Sequence, residues 1–570
     1  MKEEIWEITL FTEHSPLLIG GWNSSAIWDR ITAMDEEKPI IPASAIKGAF
    51  RIEFERLMRG IGKNVCNISS SDDKEERGCD NCISCALFGG GNKEGKLRFS
   101  KGMLNPREEV KFFPKVGVAI SRKSRTAVEK KLYSMLTYRN NAEFKTEIFS
   151  SNLDEEERRI LIFFFNYLKS TGIYIGGRKG VGYGYFNLHY ENKTKQKEGK
   201  ISSQVKLEND EWKFYELTIG LKEPFMVGDS SIRKYILNTL DYIPASTVRG
   251  AIAFGLIKKG LDENIIKKLF QDEKKYVRVS DFYYENEKPV FLTEKKEKGG
   301  NNSSRDTLIY SFLLAKFLEK EEFNEELYRK VFGTEKNPLS PADLKKPSIL
   351  YNIKLTLNRN TLASHPERLV GIKSWEKESG EFCKYKGIIF IPETLKKILE
   401  DLKIYLGGQR SRGYGMGEIN EIKEKEINEW TGSLEKFNKK LNALSEDFKI
   451  DLDGRIFFTI DFLSNAVLPE KGIEEKIKSI FPPSLKIEPG TVISTGWLGG
   501  YKEFPGNKGV KSLKKVITHG SVILASVDKS DEENFKKVIK EINSILRLDD
   551  IDHGIFSIID ICNKKHWMEV

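Results

Sequence analysis

One two-part signature occurs twice in this chain, in the same order. Residues 41–50 read IPASAIKGAF and residues 243–252 read IPASTVRGAI. Well over a hundred residues later each is followed by a glycine-rich loop, GGRKGVGYG at 176–184 and GGQRSRGYG at 407–415. The glycines coincide at the first, second, seventh and ninth places: Gly176, Gly177, Gly182 and Gly184 in one loop, Gly407, Gly408, Gly413 and Gly415 in the other. Paired motifs repeated in order point to a duplication or fusion of related modules.

A chain of 570 residues holds two to four domains. Its 39% hydrophobic and 11% aromatic content can fill proper cores. The net charge of +9 is modest for the length, so polyanion binding must be argued from local placement. No apolar run is long enough to span a bilayer. The start, MKEEIWEITLF, lacks the basic and apolar regions of a signal peptide, and a cytoplasmic location is expected.

The first module opens on the strand-like EIWEITLF (4–11). A helix follows Pro42, with Ser44 expected as its N-cap and apolar residues at helical spacing until Gly60. KLRFSK (96–101) and EFKTEIF (143–149) read as strands, then a helix from Glu155, then the loop and a last strand in YGYFNLHY (183–190). The second module repeats the plan with FYELTIGL (214–221), a helix capped by Ser246, YVRVSDF (276–282), KGIIFI (386–391), a helix opened by Pro392, and its own loop. This order fits a βαββαβ, ferredoxin-like (RRM-like) unit with insertions. A third region from Trp430 mixes helix with RIFFTIDFL (455–463) and GSVILASV (520–527), another α+β unit. The expected division is 1–195, a polar linker at 196–212, 213–428 and 429–570. Residues 294–305 read as a mobile loop.

Successive glycines let backbone N–H groups approach an anion, although a tight packed turn explains the same pattern. Arg178 and Lys179 in one loop, and Arg410 and Arg412 in the other, suit a sugar–phosphate backbone. So do Lys47, Arg51 and Arg249, placed in the first turns of helices where cations oppose the macrodipole. Cys66, Cys79, Cys82 and Cys85 form C-x12-C-x2-C-x2-C within a polar stretch that lacks a core of its own. Four thiolates close a structural zinc site, with an iron–sulfur cluster as the alternative. Cys383 and Cys562 read as buried thiols.

The glycine loop, the IPAS-x2-[KR]G helix start and the cysteine insertion together resemble the RAMP superfamily of CRISPR–Cas proteins. The first module resembles the backbone subunit of type III effector complexes. That resemblance implies target-RNA cleavage by the first of two aspartates six apart, here Asp29 in WDRITAMDEEKPIIPAS, with Asp35 shaping the turn. It also implies a thumb hairpin in ISRKSRTAVEKKLYSM (120–135), bearing Arg122 and Arg125. From about 205 onward the chain resembles the type III-D subunit that caps the guide 5′ handle, carried by YIPASTVRGAIA, VRVSDFY, LTLNRNTLAS with Arg359, GGQRSRGYG and a late TGW…GSVILA pattern, which implies a cap-type RAMP domain at 213–428 and a RAMP-like α+β domain at 429–570. The implied partners are guide RNA, complementary target RNA, other RAMP backbone subunits, a small subunit and a large polymerase-like subunit, with no membrane. The second module lacks the spaced aspartates, so the cleavage role does not carry over to it.

RNA supplies its own nucleophile, the 2′-OH. A thumb that displaces one nucleotide would bring it in line with the scissile phosphorus. Asp29 could then take the proton or hold a divalent metal such as Mg2+. A purely structural RNA-binding subunit is the competing reading. A guide-processing ribonuclease using His14, His365 or His519 is a third.

Overall fold

The computed structural model describes residues 3–13, 15–20, 28–35, 37–66, 79, 81–90, 94–138, 141–193, 210–228, 236–272, 275–285, 288–297, 304–334, 337–343, 346–347, 349–357, 364–375, 383–400, 402–425, 430–504 and 507–568, with the side chains of 236, 350–370, 430–431 and 500–510 left aside. The protein is of mixed α+β construction. The polar stretch expected to be a linker lies almost wholly outside the described residues.

In the first unit, strand Glu3–Thr12 lies between Tyr185–Asn192 and Ala142–Ser151, with Leu97–Phe99 and Gly102–Leu104 on the far side of the latter. Helices Ala43–Gly60 and Glu155–Thr171 complete a strand–helix–strand–strand–helix–strand order. The first helix buries Ile46, Ala49, Phe50, Phe54 and Met58, the spacing of one apolar stripe. The second starts with a capping box, Asp154 to Glu157, and stops at Gly172, whose φ is 70°. Ser44 is not the N-cap of its helix, and Ser246 is not that of its counterpart. Pro42 and Pro244 occupy those positions at ψ 137° and 142°, and the serines fall inside the first turn.

The second unit has the same strand order, Arg278–Val279, Lys384–Pro392, Trp212–Leu221, Met416–Glu424, with helices Ala245–Lys258 and Glu393–Leu399. The third repeats it again. Lys486–Ile487, Val522–Asp528, Arg455–Phe462 and Ile559–Ile561 lie side by side, with helices Ile473–Lys478 and Glu532–Ile545 at the matching places. Between the second and third core strands each unit projects a long hairpin. These are Phe112–Ile120 with Ala127–Tyr138, Ile349–Leu357 with Ser364–Trp375, and Thr495–Phe504 with Asn507–Ile517. A two-residue strand from the loop after the unit's first strand clips onto each hairpin: Arg30–Ile31, Ile236–Leu237 and Ala466–Val467.

Three large cores follow the three units. The division is not strict: Phe556 of the third unit packs into the second core and Ile388 of the second into the third. Phe291, Leu308, Phe312 and Leu327, from the second unit's insertion, pack into the third core. The expected mobile loop at 294–305 is corrected at its two ends, which are strands. Glu294–Glu297 pairs with Ser304–Asp306, residues 298–303 lying outside the described set. Buried Asp306 accepts from Thr293 Oγ1 and from His566, which tethers the segment to the third unit. Among the described residues no helix is long and apolar enough to cross a membrane.

Candidate nucleic-acid interface

The two glycine loops share one backbone. Arg178 and Gln409 take the left-handed conformation at φ 57° and 59°, a 3-10 turn follows, and Gly182 and Gly413 return at φ 84° and 79°. Gly177 N–H donates to Leu18 O as Gly408 N–H does to Met226 O, each at 2.9 Å. Gly184 N–H donates to Pro16 O as Gly415 N–H does to Pro224 O. A β-carbon at Gly184 or Gly415 would strike the carbonyl of Ile175 or Leu406, so glycine is required there by close backbone approach. These N–H donors are therefore engaged by the loop's own unit.

Their surroundings differ. The second loop docks on the first unit. Lys47 Nζ donates to Ser411 Oγ at 2.7 Å, Arg410 pairs with Glu94 at 2.7 Å, and a β-carbon at Gly413 would lie 2.5 Å from that of Ala43. Arg412 donates to Gln409 Oε1 at 3.0 Å, and burial beside Arg51 lowers its pKa. The first loop instead lies beside its own hairpin. The Arg178 guanidinium sits 4.6 Å from the Tyr133 ring centroid, and Lys115 Nζ sits 5.3 Å from that of Tyr183. Lys179 is half-buried near Glu53 and Arg56, and burial lowers its pKa.

Asp29 lies on the same hairpin's base. Its Oδ2 accepts from Ser134 N–H at 2.7 Å and from Ser134 Oγ at 3.2 Å, and the Asp29 N–H donates to Ser134 Oγ at 3.1 Å. The carboxylate is exposed. Tyr133 and Ser134 are neighbours, so one strand carries both the Arg178 contact and the Asp29 anchor. Asp35 goes elsewhere, into an ion pair with Lys101. Arg122 and Arg125 are exposed in the hairpin turn, and apolar Val116, Ile120 and Leu132 along its strands are 59%, 63% and 69% exposed. A cationic ribbon with bare apolar side chains suits insertion between stacked bases.

The four cysteine sulfurs lie within 4.8 Å of one another. Cys66 and Cys85 Sγ are 3.4 Å apart, and Cys66 and Cys82 Sγ are 3.7 Å apart. Zn–S bonds of about 2.3 Å in a tetrahedron place sulfurs about 3.8 Å apart, so the donor set fits zinc. The Cys82 N–H donates to Cys79 Sγ at 3.3 Å and the Cys85 N–H to Cys82 Sγ at 3.5 Å. Burial pushes the Cys66 thiol up to about 12. Burial also opposes ionisation of Cys82, but hydrogen bonds at Cys66, Cys85 and Cys79 bring it down to about 7. Arg51 links this cluster to the first helix: it pairs with Glu55 at 2.8 Å and donates to Gly89 O at 2.8 Å, while Ser84 Oγ donates to Glu55 at 2.7 Å.

Residues 11–187 and 219–416 match the family model described as the RAMP superfamily. The chain belongs to the RAMP superfamily. Both matched stretches of this RAMP protein contain one IPAS helix and one glycine loop. No curated protein sequence matches the chain. Among solved structures, it is similar to a chain of the type III-B Cmr-beta complex bound to cognate target RNA, at 21% identity and a TM-score of 0.25. That likeness covers 34% of this chain and 61% of the other, so this RAMP protein matches less than two thirds of that chain's length.

The remaining sequence candidates are placed as follows. Arg249 donates to Phe270 O and, at 3.4 Å, to Ile551 O, and lies 4.9 Å from the Phe556 ring centroid. Arg359 and His14 lie outside the described residues, as does the His365 side chain. His519 Nδ1 is 3.1 Å from Asp281 Oδ2, against the Tyr242 and Tyr283 rings. Sequence reasoning missed Ser134 and the paired arginines Arg98 and Arg278. The latter had a signal: they hold the same place in KLRFSK and YVRVSDF.

Proposed function

We propose that this RAMP protein is the guide-RNA-holding subunit of a type III, III-D-like CRISPR effector. Its first unit cleaves paired target RNA through Asp29, and its second and third units cap the guide 5′ handle. Each unit is read as a ferredoxin-like fold, in keeping with the recurrent strand order. The carrying observation is the exposed Asp29 carboxylate, fixed by Ser134 at the root of a basic, apolar-tipped hairpin.

A hairpin lodged in an A-form duplex unstacks a nucleotide and frees its 2′-OH from the geometry that forbids in-line attack. A carboxylate held by two donors on one oxygen keeps the other directed at its task without searching rotamers. Arg122 and Arg125 at the tip, with Arg178 and Lys179 beside the root, are assigned to phosphate contacts. Lys47, Arg249 and Arg410 make contacts across the joints between units, with Arg51 and Arg412 beside the first joint. A divalent metal such as Mg2+ typically uses one or two carboxylates plus substrate phosphates. Asp29 would supply one oxygen, and the metal would stabilise charge on the phosphate. The cysteine cluster is assigned structural zinc. Sequence choice rests with base pairing.

The test is cleavage of complementary RNA by the assembled effector carrying Asp29→Ala. The cut served by this subunit should fall by roughly 10²-fold or more, with guide retention unchanged. Unchanged cleavage at every position would leave the chain a structural RNA holder.

A further inference from the structure

The anchor of Asp29 stands on a small apolar cluster that the fold builds twice. In the first unit, Leu18, Met135 and Tyr183 are buried together, with Tyr133 packed against them. In the second, Met226, Ile372 and Tyr414 are buried together, with Leu237 against them. Each cluster seats the tyrosine of a glycine loop against the root of its own unit's hairpin. Side chains alternate across the hairpin strand Ala127–Tyr138. Tyr133 and Met135 face the cluster, and Ser134 between them takes the other face, where it holds Asp29. On the neighbouring strand Lys115 stands opposite Met135, Val116 opposite Ser134 and Gly117 opposite Tyr133.

The Tyr133 ring has two further neighbours. A β-carbon on Gly117 would lie 2.3 Å from Tyr133 Cζ, so the ring lies across that glycine. The Arg178 guanidinium stacks 4.6 Å from the ring centroid, from a loop whose Gly177 and Gly184 N–H groups are tied to Leu18 and Pro16. The second unit keeps the cluster and none of these parts. The bridges Leu17 to Tyr138 and Phe225 to Trp375 align the two hairpins, and the clipped strands agree with them. Gly371 then stands at the place of Ser134, Val370 at that of Tyr133 and Ile236 at that of Asp29, while Gln409 replaces Arg178. Ring, cation, serine and aspartate are present together in one unit and absent together from the other.

We propose that Tyr133 is a positioning residue for Asp29. Its ring, held by Arg178, Gly117 and the apolar cluster, fixes the strand at Ser134, and Ser134 fixes the carboxylate. The glycine loop thereby sets where the carboxylate stands, although it never touches it. Arg178 serves this end through its face, and a guanidinium stacked by its face keeps its in-plane donors for phosphate. A misplacement of about 1 Å at a reacting group costs on the order of 10²-fold in rate, so a bed of this kind matters to the chemistry more than to the fold. The inference rests on reading Asp29 as the cleaving residue. One arm of its test is made without RNA, so failure of the positioning and failure of the cleavage reading are told apart.

The first arm follows deuterium exchange of the Ser134 amide in the full chain, because that N–H donates to Asp29. The second measures the cut served by this subunit in the assembled effector, at saturating and at limiting target RNA. Two variants are used: Tyr133→Leu removes the ring, and Gly117→Ala keeps Tyr133 and evicts its ring. Each should speed the exchange several-fold and lower the saturated rate about tenfold or more, with the half-saturating target concentration nearly unchanged. Tyr133→Phe should restore both readouts. Tyr133→Leu added to Ser134→Ala should cost nothing further, since both act through one contact. Three results overturn the proposal. One is wild-type Ser134 exchange in both variants. The second is weakened target binding with the saturated rate intact, which makes Tyr133 an RNA contact. The third is full additivity with Ser134→Ala, which gives Tyr133 a separate role. An Asp29→Ala effector that still makes every cut would overturn the cleavage reading instead, and the exchange arm would decide the positioning by itself.

Discussion

The two glycine loops have the same backbone and opposite surroundings. Gly413 is pressed against another unit's helix, and a β-carbon at Gly182 would meet no atom within 4 Å among the described residues. The motif thus specifies a shape: a left-handed entry, a 3-10 turn and glycines where two backbones touch. What the shape grips is decided by the neighbour, and one chain displays both a filled and an open example.

The largest test of that equivalence is at the strand arginines. Arg278→Ala leaves the Asp549 carboxylate, itself almost fully buried, without its cation. Breaking such a pair costs about 3–5 kcal/mol. Arg98→Ala removes stacking on Tyr405 and Phe254 and an attraction to Glu223, which keeps Lys101 nearby, and costs about 2 kcal/mol or less. Denaturant unfolding of the two variants should show this ranking; equal losses would mean that the joints are held alike.

A middle-sized effect is expected from the cysteine cluster. It braces the first joint, because Glu94, partner of Arg410, follows the helix that carries Cys85. Chelation, or Cys85→Ser, should raise protease cutting around 79–95 several-fold and leave the second joint protected, as read by fragment mapping. Loss of protection at both joints alike would detach the cluster from this role.

The smallest effect is a pH dependence confined to the third unit. His566 is fully buried between Asp461 and Asp306, at 2.9 and 3.1 Å. Burial alone would lower its pKa, but the two carboxylates outweigh it and hold it well above 6.5. Asp306, against its own burial, is held below 3.8 by His566 and Thr293. The histidine's contribution is therefore complete below about pH 6.5 and fades as pH rises through its raised value. The contribution of Asp306 is present above its unfolded value and fades in acid. In melts against pH, His566→Gln should flatten the alkaline decline of the third unit and leave the first unchanged.

Much of this was legible in the residues. The paired signatures, the main strands of the first two units and the clustered cysteines all announce themselves through spacing. The third region reads as a RAMP-like α+β domain, but the strand order it shares with the other two is not legible, because it keeps order without keeping words: its helix is six residues and its loop has a single positive-φ glycine, Gly554. The capping serines misled because proline already held the helix entry. The strand arginines are not singled out by sequence, since a guanidinium reveals itself as an anchor only once the ring or carboxylate across the joint is in place. Asp29 and Asp35 are singled out by the family resemblance and not by spacing alone, and in the structure the two diverge: one is bound to Ser134 and the other to Lys101.

Covalent continuity across the joints has a consequence for dilution. Two units tethered on one chain meet at an effective concentration set by the linker, on the order of millimolar for short flexible ones. The internal joints therefore hold at any protein level, and their order and stoichiometry are written into the gene. A contact between separate chains, by contrast, forms by mass action and weakens on dilution.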